Sequence, residues 1–415
     1  MDAVYRSDPI TASSPKVGRE RALEPSFFFE DRPAERARLR RTARFALIGD
    51  LSQCYSSIYT HSLSWALAGK AREKASLRTR TPVPGDELDR SSRNLQLGQT
   101  KGMPIGPDSS LAFAELVLAA VDIEMAAKIA SHWHTTLPAL RITDDLEYFA
   151  SSRTEAEDAL LAWEMAAASF ELQVSPAKTR TIELPTALTD HWPIALQQFT
   201  SRSKPLQIAN DLTAYVSIAN EMAGRNSRSA VSGYAIQRTN SLPSVFTEAA
   251  AWSVHFNLLL VSVIVAPADL RYLADVLQRA ATAGLPLDKD ALAGTLQEIV
   301  SYHAPLEHGA EVSWALFIMH EHAIPLSSAN ATKVAGMFDN VSLLLLQCLN
   351  AKGIVDGDRP DLSEAITRAE SSGVACSSDW RLAYEMSARN WCNPAEMRND
   401  PWLGPMLDAG VAFLT

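Results

Sequence analysis

The hydrophobic pattern of the chain changes near residue 200, and this change limits the folds that the chain can adopt. Before it, short apolar segments of strand length alternate with helical segments. After it, strand signals fade and long helical patterns continue to the end. With 415 residues, the chain also exceeds the size at which a single core stops growing, about 250–300 residues. We therefore predict an α+β unit followed by an all-α unit.

The first half contains four strand-like segments. RFALIGDL (44–51) and RTIELP (180–185) each predict a strand. Residues 138–152 predict two short strands around a turn that contains Asp144 and Asp145. The other predicted elements are a helix over SLSWALAGKAREK (62–74), a polar loop over 79–94, a helix over 111–133 and a helix opened by a capping box of Thr154 with Glu157.

Apolar residues at helical spacing mark the second half. Three such stripes are Leu270, Leu273, Val276, Leu277 and Ala280; Val312, Ala315, Leu316 and Met319; and Trp380, Tyr384, Ala388 and Trp391. The most apolar run, 249–266, is interrupted by His255 and Asn257, so we interpret it as a buried helix rather than a membrane anchor. We find no fixed sequence period, and a stack of helix pairs is therefore only a hypothesis.

Charge is unevenly distributed along the chain. The net charge of −10 would disfavour a nucleic-acid partner if it were spread evenly. Residues 36–101 instead carry thirteen Lys or Arg against five Asp or Glu. This local excess can attract a polyanion, although a solvated basic face has the same composition.

Cysteines and histidines show no metal-binding pattern. The four cysteines lie far apart without a CxxC pair, which disfavours a disulfide framework and a zinc site. Because the N-terminus also lacks an apolar signal segment, we expect a cytoplasmic protein. The spacing of four histidines in the second half matches no ligand pattern, and we interpret them as packing or surface residues: His303, His308, His320 and His322.

Three aspartates carry the clearest chemical signal. Asp50 ends one predicted strand, and Asp144 and Asp145 lie between two others, so adjacent strands can bring them together. Clustered carboxylates raise one another's pKa unless a cation binds them. Mg²⁺, or Mn²⁺ in its place, binds carboxylates and substrate phosphates, and two such ions promote phosphoryl transfer. Aspartate is also a common turn residue, so this pattern alone leaves a structural role open.

Four segments in succession extend this interpretation. They are Asp50-x-x-x-x-Tyr55, GQTKGMPIGPDSSLAFAE (98–115), RITDDLEYF (141–149) and LQVSPAKTRTIELP (172–185). In order and spacing they resemble motifs A, B, C and D of a reverse-transcriptase palm. Together with SSIYTHSLSWAL (56–67), EVSWAL (311–316) and WRLAYE (380–385), they resemble more narrowly the bacterial abortive-infection, or "unknown group", reverse transcriptases that defend against phage.

The resemblance implies a reverse-transcriptase palm with reduced fingers, followed by an all-α, HEAT-like helical domain. The implied boundaries are an N-terminal arm with partial fingers over 1–43, fingers and palm over 44–200, and a repeat-like helical domain over 201–415. The chain departs from the family pattern in three ways. Only 49 residues precede Asp50, motif C lacks the tyrosine two residues before Asp144, and no thumb of the retroviral type is recognisable.

The resemblance also implies residue roles. Asp50, Asp144 and Asp145 are the expected catalytic carboxylates and metal ligands. Tyr55 occupies the place of the aromatic wall beneath the incoming sugar, where a 2′-hydroxyl would collide with the ring; a packing role is the alternative. Lys178 matches the motif D lysine that protonates departing pyrophosphate, and a surface lysine is the alternative.

A second set of roles concerns the segment around the motif B glycines. Gly102 and Gly106 let the backbone approach a nucleotide or template, with Pro104 between them. Lys101 is expected to contact a phosphate, although a solvated lysine fits equally well. These four residues therefore complete the predicted substrate-binding set.

The implied activity is protein-primed DNA synthesis from dNTPs without a template, with DNA linked to a tyrosine, by a homo-oligomer. Short fingers favour untemplated synthesis, and Tyr5 is one candidate primer. An RNA-templated enzyme working with a non-coding RNA is the first alternative. A catalytically silent palm acting as a scaffold is the second. No membrane partner is expected.

Overall fold

A computed structural model of the chain describes residues 6–7, 10–12, 23–25, 31–79, 83–130, 138–188, 191–199, 205–225, 230–246, 249–357, 360–365, 367, 378–391 and 395–413. Tyr5 lies outside these residues. The chain divides into two compact units, Met1–Asp190 and His191–Thr415. The division falls ten residues before the predicted boundary at 200.

A five-stranded sheet organises the N-terminal unit. Its strands in chain order are β1 (Arg6–Ser7), β4 (Phe45–Asp50), β5 (Ala139–Ile142), β6 (Asp145–Ala150) and β7 (Arg180–Glu183), and β2 (Ile10–Ala12) and β3 (Leu23–Pro25) form a separate antiparallel pair. The sheet order is β1-β5-β6-β4-β7, and every pairing except that of β1 with β5 is antiparallel. The four strands predicted between residues 44 and 185 are confirmed.

Helices cover this sheet and complete the core of the unit. They are α1 (Arg32–Leu39), α2 (Cys54–Ser57), α3 (His61–Ala68), α4 (Lys70–Thr79), α5 (Asp86–Asn94), α6 (Asp108–Ala130) and α7 (Arg153–Ser169). Trp163 on α7 is 1% exposed and packs in one cluster with Leu47 and Tyr148. An added Cβ at Gly49 would lie 2.3 Å from the Trp163 ring, so the helix rests directly on the backbone of β4.

Two predictions between residues 61 and 94 were wrong. The single helix over 62–74 is interrupted at Gly69, whose φ of +84° ends α3 before α4 begins. The polar loop over 79–94 contains α5, which follows Gly85 at φ +100° and carries three acids in its first turn. Negative charges in the first turn interact favourably with the positive end of the helix dipole and stabilise the beginning of α5.

The predicted capping box of α7 was placed two residues too late. Ser152, not Thr154, is the N-cap, and its hydroxyl accepts a hydrogen bond from the backbone N–H of Glu155 at 3.2 Å. The Glu155 carboxylate in turn accepts from the N–H of Ser151 at 2.8 Å. A serine in extended conformation is the better cap, since its oxygen reaches the third helical residue.

The described part of the second unit is helical, apart from one bridge between Leu326 and Val355. Its principal helices are α8 (His191–Gln197), α9 (Pro205–Arg225), α10 (Val231–Asn240), α11 (Ala249–Val265), α12 (Leu270–Thr282), α13 (Lys289–His303), α14 (Gly309–His322), α15 (Ser328–Ala335) and α16 (Asn340–Lys352). Short helices follow at Trp380–Ala388, Ala395–Asn399 and Leu403–Asp408. The predicted α+β composition and the helical character of the second half are confirmed.

The helical stripes explain how this unit forms its core. Every residue of the first two predicted stripes, on α12 and α14, is buried. Of the third stripe, Tyr384 is buried, and Trp380, Ala388 and Trp391 are partly buried and pack against the core clusters. The run 249–266 forms α11, and in the described ranges no helix combines the length and apolarity needed to cross a bilayer.

Candidate active site

Asp50 and Asp145 lie opposite each other at one end of the sheet. Strands β4 and β6 pair in a register that makes these two residues direct partners. Asp144 precedes β6, and its carbonyl accepts a hydrogen bond from the Leu51 N–H at 3.3 Å. The structure therefore brings the backbones of the three predicted aspartates to one sheet edge.

A two-residue turn presents Asp144. Strands β5 and β6 pair up to Ile142 and Asp145, which leaves only Thr143 and Asp144 between them. Thr143 adopts a positive φ of +50°, and tight hairpin turns require such a conformation. Asp145 is thus the first residue of β6 rather than part of the turn, a small correction to the sequence prediction.

Buried Arg141 anchors this hairpin and was not predicted as a site residue. It is 1% exposed and forms ion pairs with Glu115 and, at 2.7 Å, with Asp122, both on α6. Its guanidinium also donates to the Thr143 carbonyl at 2.7 Å. An arginine between two apolar residues of a strand was the available signal, because a buried guanidinium requires paired acceptors.

The carboxylates affect one another electrostatically. Loss of hydration raises the pKa of Asp145 to about 6, and the negative charges of Asp144 and Asp50 add to this increase. Arg32 and Lys178 act in the opposite direction on the same pKa. Because like charges raise a carboxyl pKa only at short range, the three aspartates form one electrostatic cluster.

Lys178 supplies positive charge to the cluster. Its ammonium group donates to Asp50 at 2.7 Å, and this hydrogen bond raises the pKa of Lys178. Asp50 is nearly buried, whereas half of the Lys178 side chain is exposed. The Asp50 carbonyl accepts from the Ser175 N–H at 2.8 Å, which fixes the segment before β7 against the end of β4.

The donor set fits a divalent cation of the Mg²⁺ type. Three carboxylates at one edge supply hard oxygen ligands, and their mutual repulsion is relieved by a cation. The carboxylate oxygens of the three aspartates do not all lie within 4.8 Å of one another. Within the described residues, the one group of three His, Cys, Asp or Glu side chains that meets this criterion is His303, His308 and Glu311. In this structure, the Lys178 ammonium group fixes the position of the Asp50 carboxylate by its hydrogen bond.

Tyr55 lies beside the predicted motif B loop. The Met103 N–H donates to the Tyr55 carbonyl, and the Gly102 N–H donates to the Ile58 carbonyl, both at 2.8 Å. Tyr55 is half-buried against the core of the unit. Burial raises the pKa of its hydroxyl, and the nearby negative charges of Asp144 and Glu115 add to this increase. Tyr55 therefore both packs on the core and lies within electrostatic range of Asp144.

The loop itself is open to solvent. Gly102 is buried at φ +91°, and an added Cβ would lie 3.3 Å from the Ser56 carbonyl oxygen. Gly106 has φ +123° with open space around it. Lys101, Pro104 and Gly106 are exposed, although the backbone of Lys101 bridges to Tyr59. The loop is thus fixed at Gly102 and accessible from Pro104 onward.

Part of the predicted basic excess lines a cleft on the same unit. The cleft has a volume of about 510 Å³ and includes Arg40, Arg41, Arg44 and the segment 184–188. Arg40 is fixed there by the carbonyls of Thr186 and Ala187, at 3.0 and 3.1 Å. Several other basic residues of the segment instead form ion pairs with acids of the same unit: Arg36, Arg38, Lys70, Arg90 and Arg93.

Compared with models of protein families and with curated proteins, the chain matches neither. The geometry of the aspartate edge is therefore the basis for assigning a function.

Proposed function

We propose that the protein is a DNA polymerase of the reverse-transcriptase type that acts in anti-phage defence, with a palm and reduced fingers followed by a HEAT-like helical domain. The observation that supports this proposal most is the pairing of Asp50 with Asp145 across β4 and β6, with Asp144 in the adjoining turn. Three carboxylates at one edge, next to a lysine, suit phosphoryl transfer better than a purely structural role.

Asp50, Asp144 and Asp145 would hold Mg²⁺ or Mn²⁺. When bound, a pair of such ions stabilises the attacking and leaving oxygens of phosphoryl transfer. Lys178 carries a proton held firmly by its hydrogen bond to Asp50, as its raised pKa indicates. On releasing Asp50, its ammonium group can donate to departing pyrophosphate.

Tyr55 and the adjacent loop would hold the incoming nucleotide. The ring packs on the core within electrostatic range of Asp144, where it would exclude a ribose 2′-hydroxyl. Exposed Lys101 offers an ammonium group to a phosphate, and the open surroundings of Gly106 let a base approach the backbone. dNTPs are therefore the proposed substrates.

We favour untemplated, protein-primed synthesis by a homo-oligomer, because the four motif segments and their context resemble the abortive-infection reverse transcriptases. One observation favours the RNA-templated alternative: the cleft with Arg40, Arg41 and Arg44 offers guanidinium groups suited to a phosphate backbone. The silent-scaffold alternative has no such support, because it leaves the clustered aspartates without a role.

Incubation of the purified full chain with Mg²⁺ and labelled dNTPs, without added nucleic acid, tests the proposal. Protein-linked DNA is expected from the wild type, whereas synthesis only after RNA is added would identify the templated enzyme. Asp144→Asn should reduce synthesis more than about 100-fold, since even outer-shell partners of a metal are worth about 10–100-fold. Glu157→Gln removes an exposed carboxylate on α7 and should leave synthesis unchanged.

Two outcomes would refute the proposed chemistry. One is a folded wild-type protein that incorporates no nucleotide with Mg²⁺ or Mn²⁺ in either arm. The other is an Asp144→Asn variant as active as Glu157→Gln. In the same assay, Tyr55→Val should increase incorporation of rNTPs relative to dNTPs, because it removes the ring that excludes the 2′-hydroxyl.

A further inference from the structure

Two histidines and a glutamate converge where α13 meets α14. His303 is the last residue of α13, His308 directly precedes α14, and Glu311 lies in the first turn of α14. One donor atom of each lies within 4.8 Å of the other two, and no other such trio exists in the part of the chain that the structure describes. The sequence interpretation of His303 and His308 as ordinary packing or surface residues did not anticipate this convergence.

We propose that His303, His308 and Glu311 bind a divalent transition-metal ion of the Zn²⁺ class. The two Nδ1 atoms lie 2.8 Å apart. Two imidazole nitrogens on one tetrahedral Zn²⁺, each at about 2.0–2.1 Å, lie about 3.3 Å apart. A small rotation of either ring therefore opens the pair enough to admit the ion.

The backbone holds the ligands in place without an ion. A 3₁₀ turn at Ala304–Leu306 and a left-handed Glu307, at φ +57°, reverse the chain between the two histidines. The His308 N–H donates to the His303 carbonyl at 3.2 Å. The Glu307 carboxylate accepts from the Phe338 N–H at 3.0 Å and fixes the turn to the neighbouring segment. Preorganisation of this kind lowers the cost of assembling a metal site.

The donor chemistry selects the class of ion. Imidazole suits Zn²⁺ and its neighbours in the first transition row, whereas Mg²⁺ prefers carboxylate, carbonyl and water oxygens. Three protein ligands leave one tetrahedral position for water. Because the ligands come from the end of α13 and the beginning of α14, the ion would link these two helices.

A simple hydrogen bond between the two rings is the competing explanation. Such a hydrogen bond needs a proton on one of the two Nδ1 atoms and does not need the Glu311 carboxylate. A metal site instead needs both Nδ1 atoms deprotonated and gains from Glu311. The two explanations therefore differ in whether the pair takes up Zn²⁺ and whether the glutamate contributes.

Isothermal titration calorimetry of the full chain with Zn²⁺, in excess Mg²⁺, distinguishes the metal site from the hydrogen bond between the rings. The excess Mg²⁺ would occupy the three aspartates but not the imidazoles, so the Zn²⁺ binding that is measured reports the histidines. One Zn²⁺ per chain is expected. His303→Gln and His308→Gln should each weaken binding at least about tenfold, as should the milder Glu311→Gln. The matched control is His320→Gln, which removes a histidine of α14 whose Nδ1 lies 3.1 Å from Glu321 and 3.4 Å from the Lys352 ammonium group, outside the trio.

Thermal unfolding provides a second measurement for variants that fold too poorly to be titrated. Zn²⁺ at about 100 times its dissociation constant should raise the Tm of the wild type by about 3 °C and that of His308→Gln by much less. Absence of Zn²⁺ binding by the wild type would overturn the proposal. So would equal binding by Glu311→Gln, His308→Gln and His320→Gln, or complete displacement of Zn²⁺ by Mg²⁺. None of these outcomes depends on polymerase activity.

Discussion

Neutralising Asp145 without changing its shape, by Asp145→Asn, should stabilise the protein at neutral pH but not near pH 4. The pKa of Asp145 is raised from 3.8 to about 6, chiefly by lost hydration and then by the charges of Asp144 and Asp50. A folded-state pKa above the unfolded value means that ionisation disfavours folding. The wild type therefore keeps its full stability below pH 3.8 and loses part of it as the pH rises through about 6.

The magnitude follows from that difference in pKa. At full strength, the change from 3.8 to about 6 corresponds to roughly 3 kcal/mol of unfolding free energy. Although its carboxyl group has lost part of its hydration, Asp145 as a whole residue is exposed at the end of its strand, so solvent screening reduces the expected effect to about 1 kcal/mol. Asp145→Asn should recover this amount at pH 7.5.

Urea unfolding of the full chain at pH 4 and pH 7.5 measures the effect. Glu157→Gln, which removes a carboxylate from an exposed position on α7, is the control and should show no such pH-dependent gain. Adding Mg²⁺ at pH 7.5 should stabilise the wild type more than Asp145→Asn, because the ion relieves the repulsion only where the carboxylate is present. An equal difference between Asp145→Asn and wild type at both pH values would refute the electrostatic argument.

Three further substitutions test other parts of the fold by the same unfolding measurement. His255 is fully buried, and burial lowers its pKa from 6.5 to about 3. Its contribution to stability is therefore present above pH 6.5 and is lost in acid. The substitution His255→Leu should reduce the loss of unfolding free energy between pH 7 and pH 4 by roughly 3 kcal/mol. Arg141→Met leaves two acids of α6 without their buried cation and should cost about 3–5 kcal/mol. Gly49→Ala places a methyl group 2.3 Å from the Trp163 ring and should cost about 1–3 kcal/mol.

The hydrophobic periodicity of the sequence was sufficient to predict an element where burial of apolar side chains alone determines its structure. The stripe from Leu270 to Ala280 needs only burial of one helix face, and all five of its residues are buried. Strand β4 was similarly clear, since its apolar residues are bounded by Asp50. The proximity of the aspartates also followed from pattern, because Asp50 was predicted at the end of one strand and Asp144 and Asp145 in the turn between two others, and the register then pairs Asp50 with Asp145.

Sequence patterns did not predict the structure where neighbouring residues compete for the same role, such as ending or capping a helix. Gly69 and Gly85 adopt positive φ values that divide or begin helices, and composition alone does not specify which glycine will do so. Between Ser152 and Thr154, the choice of cap depends on backbone conformation rather than on residue type. The partners of Arg141 lie on a separate helix, and the trio of His303, His308 and Glu311 converges only because of the turn between α13 and α14, so neither arrangement could be predicted from a known motif.

Helix α6 connects two parts of the candidate site. It begins at Asp108, directly after the loop that contains Gly102 and Gly106, and its Glu115 and Asp122 hold Arg141 beneath the aspartate turn. A displacement of this helix would therefore move the loop and the carboxylates together. Under the proposed function, substrate choice and catalytic geometry both depend on this one helix, so a single substitution on its buried face would change both.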